Sequence, residues 1–196
     1  MKILAVSDEE SAYIWDHFDR SVFNGVELIL SCGDLERDYL EFLATMLPVP
    51  LLYVPGNHDK RFIVDPPGGC QSVDGKLMVF KGLRICGLGG CMSRNPAAAY
   101  EYTEHDMAKR AAKLKRAVKR SGGMDILMTH SPARGLGDGD DMFHKGFDTF
   151  RNLLDDFSPK VHLFGHQHKS YGLNRTPETY NGTRLINACG YKIIDV

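Results

Sequence analysis

The chain has 196 residues, of which 43% are hydrophobic and 25% charged, and its formal net charge is −1 at pH 7. These values are ordinary for a soluble globular protein, and the length predicts one domain over residues 1–196. The near-neutral charge gives no support to a nucleic-acid or membrane-surface partner. No apolar run is long enough to span a bilayer, and strand-like sequence from Lys2 leaves no room for a signal peptide. The five cysteines form no C-x-x-C pair, which predicts a reduced, cytoplasmic environment.

The N-terminal part of the chain alternates predicted strands and helices. The strands are predicted at Ile3–Val6, Glu27–Ser31 and Leu51–Val54, and the helices at Ala12–Phe23 and Leu35–Met46. Because strands separated by helices cannot form hairpins, this order predicts a parallel sheet with right-handed crossovers.

The middle of the chain changes to short apolar runs separated by turn signals. Strands are predicted at Cys70–Val73, Lys76–Phe80 and Leu83–Cys86. The intervening pairs Asp74-Gly75 and Lys81-Gly82 are typical of tight hairpin turns. This segment therefore predicts a β meander.

The rest of the chain mixes both patterns. Thr103–Arg120 is the clearest helix, and Thr103 with Asp106 resembles a capping box. The further predicted elements are a strand at Ile126–Thr129, a helix at Phe147–Phe157, a strand at Val161–Phe164, and strands at Leu173–Tyr180 and Arg184–Ala188 around the hairpin signal Asn181-Gly182. We predict the α/β class, as a four-layer αββα sandwich: two mixed β-sheets, one from each half of the chain, flanked by helices.

Polar side chains follow five of the apolar strands. The motifs are Ser7-Asp8-Glu9-Glu10, Gly33-Asp34, Gly56-Asn57-His58-Asp59, Thr129-His130 and Gly165-His166-Gln167-His168. Strand ends that meet at one rim of a sheet bring such side chains together. Carboxylates, an amide oxygen and imidazoles are the donors that a pair of divalent cations takes. The predicted metal ligands are Asp8, Glu10, Asp34, Asn57, His130, His166 and His168. Two metals about 3.5–4 Å apart hold a hydroxide and clamp a phosphoryl group for in-line attack.

In their order and spacing these motifs resemble the calcineurin-like metallophosphoesterase superfamily. The family pattern is D-x-H, G-D, G-N-H-D, G-H or T-H, and G-H-x-H. Every block after the first is present between Asp8 and His168. The family fold, a two-sheet sandwich with helices on both sides, agrees with the predicted architecture. Thr129-His130-Ser131-Pro132 and His144-Lys145-Gly146 resemble, more narrowly, the compact phosphodiesterase branch related to class III cyclic-nucleotide phosphodiesterases.

The resemblance implies a role for each matching residue. Asp8 and His168 would bind the first metal. Asp34 would bridge both metals. The second metal would be bound by Asn57, His130 and His166. His58 would donate a proton or hydrogen bond to the leaving oxygen. Asp59 would orient His58, as a carboxylate commonly does for an imidazole.

The chain departs from the family pattern at Glu10, where a histidine is expected two residues after Asp8. A glutamate there would be a hard ligand and would favour Mn²⁺, Mg²⁺ or Fe²⁺. Alternatively, Glu10 points away and the first metal is weakly held. We expect two divalent ions, with Mn²⁺ favoured and Fe, Mg²⁺, Co²⁺ or Ni²⁺ as alternatives.

Two functions remain open at this point. The first is a dinuclear-metal phosphoesterase, a hydrolase, that acts on a small phosphate ester, a diester rather than a monoester, with nucleotides among the candidates. Residues expected at the rim, which are equally open to structural roles, are Arg94, Asn95, Arg134 and His144. No membrane partner and no dedicated nucleic-acid-binding region are expected, and a homo-oligomer is left open. The second is a non-catalytic metal-binding scaffold on the same fold; the retained His58 favours the enzyme.

Overall fold

The computed structural model describes residues 1–94, 96–141, 144–168 and 177–196. Within them the strands are β1 (Lys2–Ser7), β2 (Val26–Ser31), β3 (Leu51–Tyr53), β4 (Cys70–Ser72), β5 (Leu77–Phe80), β6 (Leu83–Leu88), β7 (Cys91–Met92), β8 (Glu101–Tyr102), β9 (Ile126–Thr129), β10 (Val161–Phe164), β11 (Thr179–Tyr180), β12 (Thr183–Asn187) and β13 (Gly190–Asp195). The α-helices are α1 (Ala12–Trp15), α2 (Arg37–Met46), α3 (Glu104–Arg120) and α4 (Asp148–Phe157).

The first sheet has the strand order β13-β1-β2-β3-β4. Strands β1 to β4 are mutually parallel, which confirms the parallel sheet predicted from the alternation of strands and helices. Strand β13 was not predicted. It pairs antiparallel with β1 over the whole length of both strands, from Lys2 opposite Asp195 to Ser7 opposite Gly190. The first sheet is therefore mixed and takes its edge strand from the last residues described.

The second sheet has the order β11-β12-β10-β9-β6-β5. Strands β6, β9, β10 and β12 are parallel, and the edge strands β5 and β11 pair antiparallel with their neighbours. Each edge strand is joined to its neighbour by a hairpin that the sequence predicted. Lys81-Gly82 and Asn181-Gly182 have positive φ at both turn residues, as a two-residue type I′ turn requires. A small parallel pair, β7 with β8, lies outside the two sheets. Of the strand predicted at Leu173–Tyr180, residues 173–176 lie outside the described residues.

The hairpin predicted at Asp74-Gly75 is wrong. Strand β4 pairs with β3 in the first sheet, whereas β5 pairs with β6 in the second, so this segment crosses between sheets. Side-chain contacts explain the crossing. The Asp74 carboxylate accepts hydrogen bonds from the Arg110 guanidinium at 2.5 and 2.6 Å and from the Gly89 amide at 2.6 Å, which ties the segment to α3 and the end of β6.

The single helix predicted over Ala12–Phe23 is also wrong. The chain forms the short helix α1 and then a separate 3-10 turn at Arg20–Phe23. The Asp19 side chain accepts a hydrogen bond from the amide of Ser21 and starts this second turn. An acidic side chain that bonds the local backbone competes with a continuous helix, which is why the apolar spacing alone misled the prediction.

Burial along β1 shows the layer order. Ile3 and Ala5 belong to one buried cluster with residues of the second sheet such as Met128 and Leu163, so this cluster lies between the two sheets. The alternate residues of β1 belong to a second cluster on the opposite face, with Tyr39, Leu40 and Leu43 of α2. A third cluster joins the outer face of the second sheet to α3 and α4. The layers are helices, sheet, sheet and helices, which confirms the αββα sandwich. No helix among the described residues has the length and apolar character needed to cross a membrane.

Helix α3 begins with the predicted capping box. The Thr103 hydroxyl accepts a hydrogen bond from the Asp106 amide at 3.2 Å, and the Asp106 carboxylate accepts one from the Thr103 amide at 3.4 Å. We expect Thr103→Ala to lower the free energy of unfolding by about 1 kcal/mol, because the Asp106 amide in the first turn loses its side-chain acceptor. Urea denaturation measures this change. Lys113→Ala, an exposed change on the same helix, is the control and should stay within about 0.5 kcal/mol; equal losses in both variants would contradict the capping role.

Candidate metal centre

The carboxyl ends of strands from both sheets meet at one rim of the sandwich. Asp8 follows β1 of the first sheet, and His166 follows β10 of the second. The His166 amide donates to both oxygens of the Asp8 carboxylate at 2.9 Å. A second link runs from His130, after β9, to the carbonyl of Cys32, after β2. The rim is therefore a junction where the sheets are joined by polar contacts.

The backbone at this rim is strained. Asp8, Asp34 and His166 all have positive φ, at 62°, 55° and 66°. Non-glycine residues seldom adopt this conformation, and it recurs at functional sites. The loops also approach closely: a Cβ on Gly56 would overlap the Asp34 carboxylate and the His130 ring, and one on Gly165 would overlap the Asp8 carboxylate. These glycines are required for the polar side chains to sit where they do.

Four predicted ligands converge on one point. Nε2 of His130 lies 3.1 Å from Oδ1 of Asn57, 3.1 Å from Nδ1 of His166 and 3.3 Å from Oδ2 of Asp34. Nδ1 of the same ring lies 2.8 Å from the Cys32 carbonyl, which can only accept a hydrogen bond. Nδ1 therefore carries a proton, and Nε2 is the atom that faces the other three donors.

These four side chains fit a divalent cation. Donor atoms about 2.0–2.2 Å from a common ion are about 3.0–3.5 Å from one another, which is the range seen here. Two oxygens and two imidazole nitrogens are a donor set that Mn²⁺, Fe²⁺ and Zn²⁺ all accept. The hydrogen bond from His130 to Cys32 is the outer contact that commonly fixes the orientation of a ligating imidazole.

The electrostatics of this cluster favour a cation. Burial opposes ionisation of Asp34, yet the His130 imidazole nearby outweighs it and lowers the pKa of Asp34 to about 2. Burial alone would lower the pKa of His130, but the Asp34 carboxylate, with a smaller contribution from Asp8, raises this pKa to about 9. Burial raises the pKa of Asp8 itself. Without a metal, a proton on His130 takes the place of the positive charge.

Asp59 does not orient His58. Its Oδ2 accepts hydrogen bonds from the Asp34 amide at 2.8 Å and from the Gly56 amide at 2.7 Å. Burial, with the Asp34 charge adding to it, raises the pKa of Asp59 to about 6. The His58 side chain is 81% exposed, and its Nε2 lies 3.9 Å from Oδ2 of Asp34. Asp59 therefore positions the loop that carries Asp34, and the predicted contact between Asp59 and His58 is wrong.

A cavity of about 300 Å³ opens beside the cluster. It is lined by Asp8, Glu10, Asp34, Leu35, Glu36, His58, Asp59, Arg61 and Phe62. The lining includes five carboxylates and one guanidinium, so the cavity is strongly acidic. Burial raises the pKa of Glu10, and the charges of Glu36 and Asp38 raise it further. The structure thus places Glu10 among the acidic residues at the start of α2.

The neighbouring carboxylate, Glu9, contacts the last histidine of the motifs. Its Oε1 lies 3.2 Å from Nδ1 of His168, and ligand atoms of Glu9, His168 and Cys189 all lie within 4.8 Å of one another. Sequence reasoning missed both Glu9 and Cys189. The available signal for Cys189 was its place directly after a predicted strand, as for the other donors.

The candidate substrate residues have different surroundings. His144 lies beside the cluster, with its ring centroid 5.4 Å from that of His166. Arg134 lies near the start of α4, with its Nε 4.0 Å from the Asp148 carboxylate. Arg94 is exposed in the segment after β7. Asn95 lies outside the described residues.

The fold and the converging donors agree with the comparison to known families. The model of the calcineurin-like phosphoesterase family matches residues 1–170. The chain therefore belongs to the calcineurin-like phosphoesterase family. Membership supports phosphoester hydrolysis that depends on divalent metals, and the Asp34, His130 and His166 side chains form a group able to hold such an ion.

Individual relatives are distant or short matches. UPF0046 protein T07D4.2 of Caenorhabditis elegans is 36% identical over 72 residues, which cover 34% of this chain and 16% of that protein. The crystal structure of TT1561 of Thermus thermophilus is similar with a TM-score of 0.67 and 14% identity, over 99% of this chain and 93% of that one. Another crystal structure gives a TM-score of 0.71 at 14% identity, over 99% and 94%. These structures support the fold.

Metal affinity should rise with pH. Because the pKa of His130 is about 9 in the metal-free fold, a cation must displace the Nε2 proton at neutral pH. One displaced proton predicts about a tenfold rise in apparent affinity per pH unit, flattening near pH 9. Titration of the chelator-treated protein with Mn²⁺ at pH 7 and pH 8 measures this change, and calorimetry in buffers of different ionisation enthalpy counts the released proton. An affinity independent of pH would contradict a protonated His130.

Proposed function

We propose that this protein hydrolyses a small phosphodiester in the cavity beside the metal centre. One observation carries the proposal. Four side chains direct their metal-coordinating atoms at one another, in a chain whose family hydrolyses phosphoesters; they are Asp34, Asn57, His130 and His166. Ligand atoms this close favour a cation at their centre, because a single proton on Nε2 of His130 cannot hydrogen-bond to all three of its neighbours at once. A divalent ion bound there would neutralise charge on the phosphoryl oxygens and make water a better nucleophile.

The chain's own residues would position the ester and assist its cleavage. His58 stands at the mouth of the cavity, and its amide donates to Oδ1 of Asp34 at 2.8 Å. This bond fixes the backbone of His58 relative to the cluster, while the exposed imidazole can reach a substrate. We propose that His58 gives a proton or hydrogen bond to the leaving oxygen. Asp59 supports this arrangement indirectly, by holding the amides of Asp34 and Gly56.

The charge of the cavity favours a diester over a monoester. Five carboxylates line it, against the single guanidinium of Arg61. A phosphomonoester carries a charge of about −1.5 to −2 at pH 7, because its second pKa is about 6. A diester carries one negative charge, so the acidic walls repel it less. This agrees with the resemblance of the Thr129–Pro132 segment to the phosphodiesterase branch, and nucleotides are among the esters that we propose.

Further features of the proposal rest on the sequence and on burial. The asparagine and aspartate oxygens in the four-residue cluster suit Mn²⁺ or Fe²⁺. The first-metal roles of Asp8 and His168 remain predictions, as does the single domain over residues 1–196.

All five cysteines are present as thiols, four of them buried, which supports our proposal of a reducing compartment such as the cytoplasm.

Turnover of a model diester tests the function. We expect the purified protein to hydrolyse bis(p-nitrophenyl) phosphate with added Mn²⁺, to lose this activity with a chelator, and to act more slowly on p-nitrophenyl phosphate. Release of nitrophenolate is the measurement, and rates are compared at equal substrate concentration. A faster rate on the monoester would contradict the diester preference. No turnover with Mn²⁺, Fe²⁺, Zn²⁺, Co²⁺, Ni²⁺ or Mg²⁺ would instead favour the non-catalytic scaffold.

His58 can be tested apart from metal binding. We expect His58→Ala to keep its metal content and to lower kcat by about 10²–10⁴, the usual contribution of one general acid. His105→Ala, which removes an exposed histidine on α3, is the matched control and should leave kcat unchanged. Metal content by elemental analysis and kcat on the diester are measured together. Loss of metal from the His58 variant would show that His58 is a ligand.

A further inference from the structure

We propose that Glu9 and Cys189 join His168 at the first metal position, and that the Cys189 thiolate selects Zn²⁺ or another thiophilic cation there. The proposal deepens the proposed function, because it names the metal chemistry of the same centre. It also accounts for the departure at Glu10: a carboxylate and a thiolate from other positions would supply the donors on this side of the rim.

The distances allow a common ion. Oε1 of Glu9 and Nδ1 of His168 are 3.2 Å apart, and ligand atoms of both lie within 4.8 Å of the Cys189 sulfur. In a tetrahedral zinc site the bonds are about 2.0–2.3 Å, which places neighbouring ligand atoms about 3.3–3.8 Å apart. The distance between Glu9 and His168 is about 0.1 Å short of this range. Closing the sulfur edges needs a shift of about 1 Å at most, well within the reach of side-chain rotation.

The backbone holds the site together from two directions. The Asn187 side chain donates to the carbonyl of Gln167 at 2.8 Å and accepts from the Cys189 amide at 2.9 Å. It therefore joins the loop that carries His168 to the loop that carries Cys189. Cys189 also forms a parallel bridge with Ser7, and the Ser7 carbonyl accepts the Glu9 amide at 2.7 Å. All three candidate ligands are thus fixed to the ends of adjacent strands.

Burial and charge distinguish this site from an ordinary surface pair. Cys189 is 2% exposed, whereas the Glu9 side chain is 53% exposed and that of His168 31%. A thiolate and a carboxylate carry two negative charges, which a divalent ion neutralises. The thiol proton leaves to solvent when the metal binds. Catalytic zinc sites commonly take three protein ligands, which is the number of candidates here.

The thiolate makes the choice of cation specific. Sulfur ligands favour Zn²⁺ and other soft or borderline ions over Mg²⁺ and Mn²⁺. The four-residue cluster around His130 has oxygen and nitrogen donors alone. The two positions therefore differ in the cations they prefer, and a spectroscopic probe of the metal–sulfur bond separates them.

Cobalt absorption provides that probe. The metal-free protein, kept reduced with a phosphine and without added thiols, is titrated with Co²⁺ under anaerobic conditions. We expect a near-ultraviolet thiolate-to-cobalt charge-transfer band that stops growing once both metal positions are filled. Added Zn²⁺ should abolish the band, since zinc competes for the sulfur site, and Mg²⁺ should leave it unchanged.

Matched variants assign the ligands. Cys189→Ser should remove the charge-transfer band, whereas Cys70→Ser, in strand β4 of the first sheet, should keep it. Glu9→Gln should raise the Co²⁺ concentration for half-maximal absorbance by about tenfold or more, since even residues that only support a ligand cost this much. Glu27→Gln, a matched change near the amino end of β2 and so away from this rim, should change it less than twofold. Cys189→Ala is a second variant, and circular dichroism confirms that each variant is folded.

Two results would overturn the proposal. One is Co²⁺ bound to the wild type without a charge-transfer band; the other is a band that persists in both folded Cys189 variants. Neither depends on catalysis, because no substrate is present. A protein that shows the band but hydrolyses no ester would refute the proposed function alone. A protein that hydrolyses the diester without the band would refute this metal position alone.

Discussion

The hydrogen bond between His130 and the Cys32 carbonyl is the contact on which the site depends. It joins the end of β9 in the second sheet to the end of β2 in the first, and both residues are fully buried. Because it uses the Nδ1 proton, it directs Nε2 toward Asn57 and His166. A change in how the two sheets pack would move this nitrogen away from its partners. Correct assembly of the sandwich and assembly of the donor cluster are therefore the same event.

The fold was largely predictable where local signals agree with long-range packing. The capping box at Thr103 and the turns at Lys81-Gly82 and Asn181-Gly182 depend on neighbours in sequence, and they were predicted correctly. The segment at Asp74-Gly75 has the same local chemistry, but contacts with Arg110 on a distant helix decide its course. Strand β13 was missed because its antiparallel pairing with β1 joins opposite ends of the described chain, and nothing local to its sequence signals that pairing.

The site, like the fold, was predictable where the sequence signals it and not where long-range contacts decide it. Motif order placed donors at strand ends, and the structure brings Asp34, Asn57, His130 and His166 together as that order suggests. The choice between Glu9 and Glu10 could not be predicted, because adjacent residues in an irregular loop differ only in side-chain direction. Asp8, just before them, has a positive φ, a backbone conformation for which the sequence carries no separate signal. The approach of Cys189 to His168 depends on the Asn187 bridge between two loops, which is likewise invisible before folding.

The strained backbone at Asp8, Asp34 and His166 is tied to the contacts that their residues make. Each positive φ costs free energy that a glycine would not, since glycine adopts this conformation without a Cβ clash. Glycine at position 8 would nevertheless remove the carboxylate that accepts the His166 amide and joins the two sheets. A residue that stabilised the fold at this position would have to adopt a positive φ and also accept that amide. Asparagine, which adopts positive φ more often than most residues and keeps a side-chain oxygen, meets both requirements, whereas glycine meets only the first.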